Sequence, residues 1–329
     1  MVTLAAVEGG GTTFVCAIAK DTASNIVDRV IFPTTTPEET LGKCREWLLA
    51  RSFDALGIAT FGPVDPTPGS KTYGHITATP KKAWRHSDVV GALTEGLNVP
   101  FGFDTDVNAP ALAEYRASVR DGEALSSVAY ATVGTGIGVG LVVNGGCVHG
   151  LLHPEAGHIC VPRLAGDAYE GHNPSLDCAN WCEVEAMAAS GALAARAGLK
   201  DSAGLKDLPD DDGVWDAAAH YLAAMCANLV LTVSPQRIVL SGGVMLRASL
   251  FPKIRAKMVK MLNGYIPPLD AQAACSVVVK SRWGNNAGIV GALTLAEDAL
   301  GAAPAPKADL LLPLLACAAG AALAALLRR

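Results

Sequence analysis

The chain has 329 residues, 50% hydrophobic and 17% charged, long enough for two domains with separate cores. A net charge of -5 and 5% aromatic residues exclude a basic nucleic-acid face and a base-stacking platform. Nine cysteines, an odd number scattered through a long chain, do not make a secreted disulfide framework and imply a reducing compartment.

Val2 to Val7 reads as a core strand, so no leader is expected ahead of it. Glu8-Gly9-Gly10-Gly11-Thr12-Thr13 turns it into a second apolar run, Phe14 to Ala19, which is a hairpin pattern, and Ile26 to Phe32 reads as a third strand. Thr36-Pro37-Glu38-Glu39 is a capping box with proline at the first helical position, ahead of a helix with Leu41, Cys44, Trp47 and Leu48 on one face. A buried strand follows at 55–60, then a loop at 66–86 whose length marks it as functional. A helix over 89–96 leads to the apolar run Val99 to Phe103.

Asp104, Asp106 and Asn108 stand where that run gives way to a helix pattern over 109–119. Catalytic groups in α/β folds collect at the carboxyl ends of strands, and a helix N-terminus favours a carboxylate. Asp104 or Asn108 is equally suited to cap the helix. Beyond it the opening pattern returns: Val128 to Val133, then Gly134-Thr135-Gly136-Ile137-Gly138, then Val139 to Val143, with a short third strand from Gly146. This internal duplication says more than either glycine cluster alone. Helices are expected at 183–197, 214–233, 250–262 and 285–300, and strands at 237–240 and 276–280. The stripe of Leu222, Met225, Cys226 and Leu229 is a core face.

Gly10-Gly11-Thr12, Gly134-Thr135-Gly136 and Ser241-Gly242-Gly243 each follow an apolar strand. Glycine lets backbone N–H groups approach an anion closely, so three such loops point to a polyphosphate site. None fits a Gly-x-x-x-x-Gly-Lys-Ser/Thr loop or a Rossmann fingerprint.

With these loops, Phe61-Gly62-Pro63-Val64-Asp65, Ile76-Thr77-Ala78-Thr79-Pro80-Lys81, Thr105-Asp106-Val107-Asn108-Ala109 and His153-Pro154-Glu155-Ala156-Gly157-His158, the chain resembles the ROK sugar kinases of the actin-like ATPase superfamily, in particular their bacterial-type fructokinase branch. The resemblance runs from residue 4 to about 300. It implies two ribonuclease-H-like α/β domains around a central cleft, 1–107 and 108–284, with helix 285–300 packing back on the first. It implies ATP between the glycine loops (Gly10, Gly11, Thr12, Gly134, Thr135, Gly136, Gly191, Gly242, Gly243, Val244 and Met245) and Mg²⁺ on the phosphates near Glu8. Asp106 would be the general base, and Asn108, Glu155, His158, Thr79 and Pro80 would face a small-molecule sugar, fructose in this branch. A glucose, mannose or N-acylated hexosamine kinase, or a ROK protein that only binds sugar, uses the same scaffold. A homodimer is the expected assembly.

Thr13 stands where the family usually has lysine, and Ala83 where glycine is common. The resemblance also implies structural Zn²⁺ on His158, His172, Cys178 and Cys182, in an irregular loop; loss of the metal, with plain cysteines, stays open. The apolar segment 310–327, after a Pro/Ala linker at 301–306 and before Arg328-Arg329, reads either as a tail anchor holding a cytoplasmic kinase to a membrane or as a packed terminal helix.

Overall fold

The computed structural model describes residues 1–171 and 182–301. His172, Cys178 and the apolar tail lie outside them.

β1 (Thr3–Gly9) and β2 (Thr13–Lys20) form the expected hairpin, closing at Gly9 opposite Phe14, and β3 (Ile26–Pro33) extends it. α1 (Pro37–Leu49) starts as the capping pattern predicts, with Thr36 Oγ1 accepting the Glu39 N–H at 3.3 Å. The Glu39 carboxylate instead accepts the Thr35 hydroxyl at 2.7 Å, so the box is only half made. β4 (Ala55–Thr60), wholly buried, lies parallel to β1; after the long loop and α2 (Val89–Thr94), β5 (Phe101–Thr105) lies parallel to β4. The first sheet therefore runs β3-β2-β1-β4-β5.

The second half repeats it. After α3 (Asn108–Arg120) come β6 (Val128–Val133), β7 (Ile137–Val143) and β8 (Gly146–Cys147). α4 (Val184–Ala188), α5 (Ser190–Arg196) and α6 (Gly213–Val233) separate them from β9 (Arg237–Ser241). α7 (Leu250–Leu262), α8 (Ala274–Val277), β10 (Val278–Lys280) and α9 (Ala287–Gly301) complete the described chain. The second sheet runs β8-β7-β6-β9-β10, the same order with the same antiparallel and parallel neighbours.

The two halves interlock. α3 follows the first sheet but packs on β6 and β7 of the second, while α9 follows the second sheet and packs on β1, β4 and β5 of the first. Bare backbones make these crossings possible. A Cβ on Gly57 of β4 would stand 1.7 Å from the Ala292 carbonyl oxygen, and one on Gly140 of β7 would stand 2.0 Å from that of Val107. α3 and α9 touch where Gly291 meets Ala109 and Pro110. Leu4, Ala6, Leu112, Tyr130, Val142 and Leu293 share one core between the sheets.

Two expectations need correction. The helix expected over 183–197 is broken at Ala189, because the Ser190 N–H donates to the Gly134 carbonyl at 2.8 Å instead of continuing a single helix. The strand expected over 276–280 pairs with β9 only from Val278; residues before it close a helical turn. α6 is long and apolar enough to cross a membrane, but Leu222, Met225 and Cys226 have no exposed surface and it is a core helix.

Candidate active site

The carboxyl ends of β1, β4 and β5 meet the N-termini of α3 and α9, and three carboxylates gather there. Asp106 directly follows β5, and its N–H donates to the Thr60 carbonyl at 2.9 Å. Glu8 lies on β1, its carboxyl against the first turn of α9, where a Cβ on Gly288 would stand 2.8 Å from Oε1. Burial first, then the charges of Glu8 and Glu155, push the Asp106 carboxyl up from 3.8 to about 7. Burial pushes Glu8 up to about 7 as well, against a smaller lowering by Arg29. The helix N-termini favour the ionised forms, but desolvation dominates. A carboxylate poised near neutrality can take a proton and pass it on.

Neither Asp104 nor Asn108 caps α3 with its side chain. Thr105 Oγ1 does that work, accepting the Asn108 N–H at 2.9 Å. The Asn108 side chain, 0% exposed, donates to Asp104 Oδ1 at 2.9 Å and accepts the Leu141 N–H at 3.0 Å. It ties β5 to β7. Asp104 is buried too, held at 2.9 Å by His149 Nε2, whose pKa it raises.

Glu155 comes from the opposite half. His153 Nε2 accepts the Val64 N–H at 3.0 Å, pinning the segment after Gly62-Pro63, and its Nδ1 faces Glu155 Oε1 at 3.7 Å. His158 Nε2 lies 3.9 Å from Glu155 Oε2, and its Nδ1 pairs with the fully buried Glu183. Thr79 is buried, its carbonyl accepting Arg85 Nε at 2.7 Å, and Pro80 is exposed on the same loop.

The glycine loops fit an anion. The Gly11 and Thr12 N–H groups make no hydrogen bond to a described residue, and Gly10 closes the turn on the Thr13 carbonyl at 2.8 Å. Behind the second loop, Glu185 Oε2 accepts the Ile137 N–H at 2.8 Å and would stand 2.7 Å from a Cβ on Gly136. Gly242 holds φ +93°, and its missing Cβ would stand 2.4 Å from the Val133 carbonyl oxygen, so no other residue fits there. Gly134, Thr135, Ser190, Gly243 and Val244 line a cavity of about 650 Å³, the size of a nucleotide. Met245 turns into the core, 1% exposed, and Gly191 is exposed on the first turn of α5; neither lines this cavity.

The far wall of that cavity was not legible in sequence. Ser202, Lys206, Asp210, Trp215 and Arg247 form it. The Arg247 guanidinium lies 4.1 Å above the Trp215 ring and donates to the Leu205 and Leu208 carbonyls at 3.1 and 2.9 Å. These contacts span about forty residues of chain, and no local signal announces them.

The predicted zinc ligands are not brought together among the described residues. His158 groups with Glu183 and Glu185, their ligand atoms within 4.8 Å of one another. Cys182 instead neighbours Tyr221, Asp167 and Arg163, where burial raises its thiol pKa. The expected set of two imidazoles and two thiolates includes His172 and Cys178, which lie outside the described residues.

The ROK family model matches residues 4–299. The chain belongs to the ROK family. It is 39% identical over 299 residues to the fructokinase of Pediococcus pentosaceus, covering 90% of this chain and 98% of that one. It is 35% identical to the fructokinase of Streptococcus mutans, covering 88% and 96%. The ROK hexokinase of Thermus thermophilus superposes with a TM-score of 0.71 at 24% identity, covering 91% of this chain and 99% of that one. The ROK chain described here therefore has the actin-like ATPase fold, two β-sheet halves facing a cleft, and is a sugar kinase by family.

Proposed function

We propose that this ROK protein transfers the γ-phosphoryl group of ATP to the primary hydroxyl of fructose, giving fructose 6-phosphate and ADP. The observation that carries it is Asp106, a carboxylate raised to about 7 at the end of β5, supported by the free loop amides after β1 and by the nucleotide-sized cavity at the glycine turns of the second half. The fructokinases at 35–39% identity favour fructose over other hexoses.

Asp106 accepts the proton of the sugar hydroxyl as that oxygen bonds to the γ-phosphorus. The bond to the β,γ-bridging oxygen breaks, and ADP leaves with the electron pair. The Gly11 and Thr12 amides, from the first half, and Thr135, from the second, hold phosphate oxygens with no reorganisation at the moment of transfer. Bound Mg²⁺ would neutralise phosphate charge, and Glu8 is the carboxylate placed to hold it or its water. Glu155 and His158 hold sugar hydroxyls; His153 keeps Glu155 oriented and the Gly62-Pro63 segment in place. No step passes through zinc.

A coupled ADP-release assay over fructose, glucose, mannose and N-acetylmannosamine tests the proposal. Fructose gives the highest kcat/KM. A higher value for any other sugar reassigns the substrate, and no release with any of them removes the kinase reading.

A further inference from the structure

The first phosphate loop, Glu8 to Thr13, contains an acid and no base. Transferring a phosphoryl group builds charge on oxygens that backbone amides alone neutralise poorly, so a cation is needed at that loop. The structure brings one from elsewhere in the chain. Lys81 Cε lies 3.4 Å from where a Cβ on Gly11 would stand. The Lys81 side chain therefore crosses the bare backbone of the residue whose N–H is free for an anion. It forms no ion pair with a described residue, unlike Lys43, Arg45 or Arg51 of the same half.

The loop carrying Lys81 is fixed to the phosphate hairpin. Trp84, 1% exposed, donates its indole Nε1–H to the Thr35 carbonyl at 2.9 Å and stacks on Phe14, the first residue after the turn, at 5.1 Å. Phe61 packs edge-on against the same indole at 5.4 Å. Lys81's own carbonyl accepts the Trp84 N–H at 2.8 Å. Thr77 bonds twice to the Pro63 carbonyl, at 2.7 and 3.0 Å. The stem of Lys81 is thus positioned by a buried aromatic cluster, while its ammonium keeps rotational reach over the loop.

We infer that Lys81 is a catalytic residue of this kinase: its ammonium binds the terminal phosphates of ATP at the Gly11 turn and stabilises the charge that develops as the γ-phosphoryl group moves to the sugar. The inference rests on the kinase reading. Removing the ammonium costs transition-state stabilisation and affinity for the β- and γ-phosphates, and leaves adenosine and sugar recognition alone. A side chain that merely props the loop would act through stability and would not separate nucleotides by phosphate number.

Lys81→Met, Lys81→Arg and, as a neighbouring control, Lys82→Met test it. Each is assayed for fructose-dependent ADP release and for equilibrium binding of ATP and AMP. Lys81→Met loses about 100-fold in kcat/KM for ATP, the size of one lost charge-stabilising donor. Its ATP affinity falls at least about tenfold, AMP affinity and the fructose KM stay near wild type, Lys81→Arg recovers most of the loss, and Lys82→Met matches wild type. Lys81→Met within about threefold of wild type in kcat/KM, or AMP binding lost in step with ATP, overturns the assignment. If wild-type protein shows no fructose-dependent ADP release, the kinase reading fails, and the ATP-against-AMP comparison still decides whether Lys81 holds the terminal phosphates.

Discussion

The two sheets share one frame and differ at the strand ends that face the cleft. Glu8 pairs with Ala59, which pairs with Asp104; Asp106 lies two residues beyond. In the second sheet Thr132 pairs with Ser241, and Ser281 stands opposite Ser241, one residue past the last pair of β10. Carried through the register, Glu8 corresponds to Thr132, Asp104 to Ser281 and Asp106 to Trp283. Each of these three acids has a neutral counterpart in the second half. Ser281 Oγ donates to buried Glu114 at 2.7 Å, and Trp283 packs on the shared core. The duplication supplies the scaffold and the glycine turns; in the proposed reaction the proton chemistry is confined to a few positions in one copy. The other copy's glycine turns line the cavity of about 650 Å³, and its strand ends brace the interface.

The largest effect that can break this comparison is at Asp106. Asp106→Asn keeps the size and loses the proton acceptor, so kcat falls by about 1,000-fold while fructose still binds. Steady-state turnover with a separate fructose-binding measurement checks it; turnover near wild type moves the base elsewhere. Glu8→Gln comes next, with a loss of about 10–100-fold in kcat/KM for Mg-ATP, read as a higher magnesium requirement. An unchanged magnesium dependence removes Glu8 from the metal's surroundings.

The counterpart position sharpens the contrast. Ser281→Ala leaves buried Glu114 short of one donor and destabilises the fold by about 1–3 kcal/mol, measured by denaturant unfolding, with kcat within about threefold of wild type. A catalytic loss matching Asp106→Asn would mean the halves are not functionally asymmetric.

The frame was legible because punctuation is local. Glycine turns between apolar runs mark both hairpins, and Asp106 stands where a strand pattern yields to a helix pattern. The tie that Asn108 makes between β5 and β7 was not legible, because its partners, Asp104 and the Leu141 amide, meet it only in the fold. The break at Ala189 and the Trp215–Arg247 wall rest on contacts between segments far apart in sequence, where periodicity carries no information.

The smallest effect is on stability. Because the folded-state pKa of Asp106 is raised above its unfolded value, the fold gains nothing extra from Asn below about pH 4, where the acid is neutral in both states. Between about pH 4 and about 7 the unfolded chain ionises this carboxyl while the fold keeps it protonated, so the wild type weakens progressively across that window and levels off above it. Asp106→Asn therefore melts higher than wild type at pH 8, by at least about 3 °C, and by less at pH 5. Equal melting temperatures at pH 8 would show that the site does not hold Asp106 out of water.

The most direct test is the pH dependence of kcat/KM for fructose at saturating Mg-ATP, from pH 5.5 to 8.5. Asp106 must be ionised to act as the base, so the profile rises about tenfold per pH unit on its acid limb and levels off near pH 7, shifted down to the extent that bound Mg²⁺ favours the carboxylate. A profile flat across that range, or an acid limb of the same position and slope in Asp106→Asn, would contradict Asp106 as the proton acceptor.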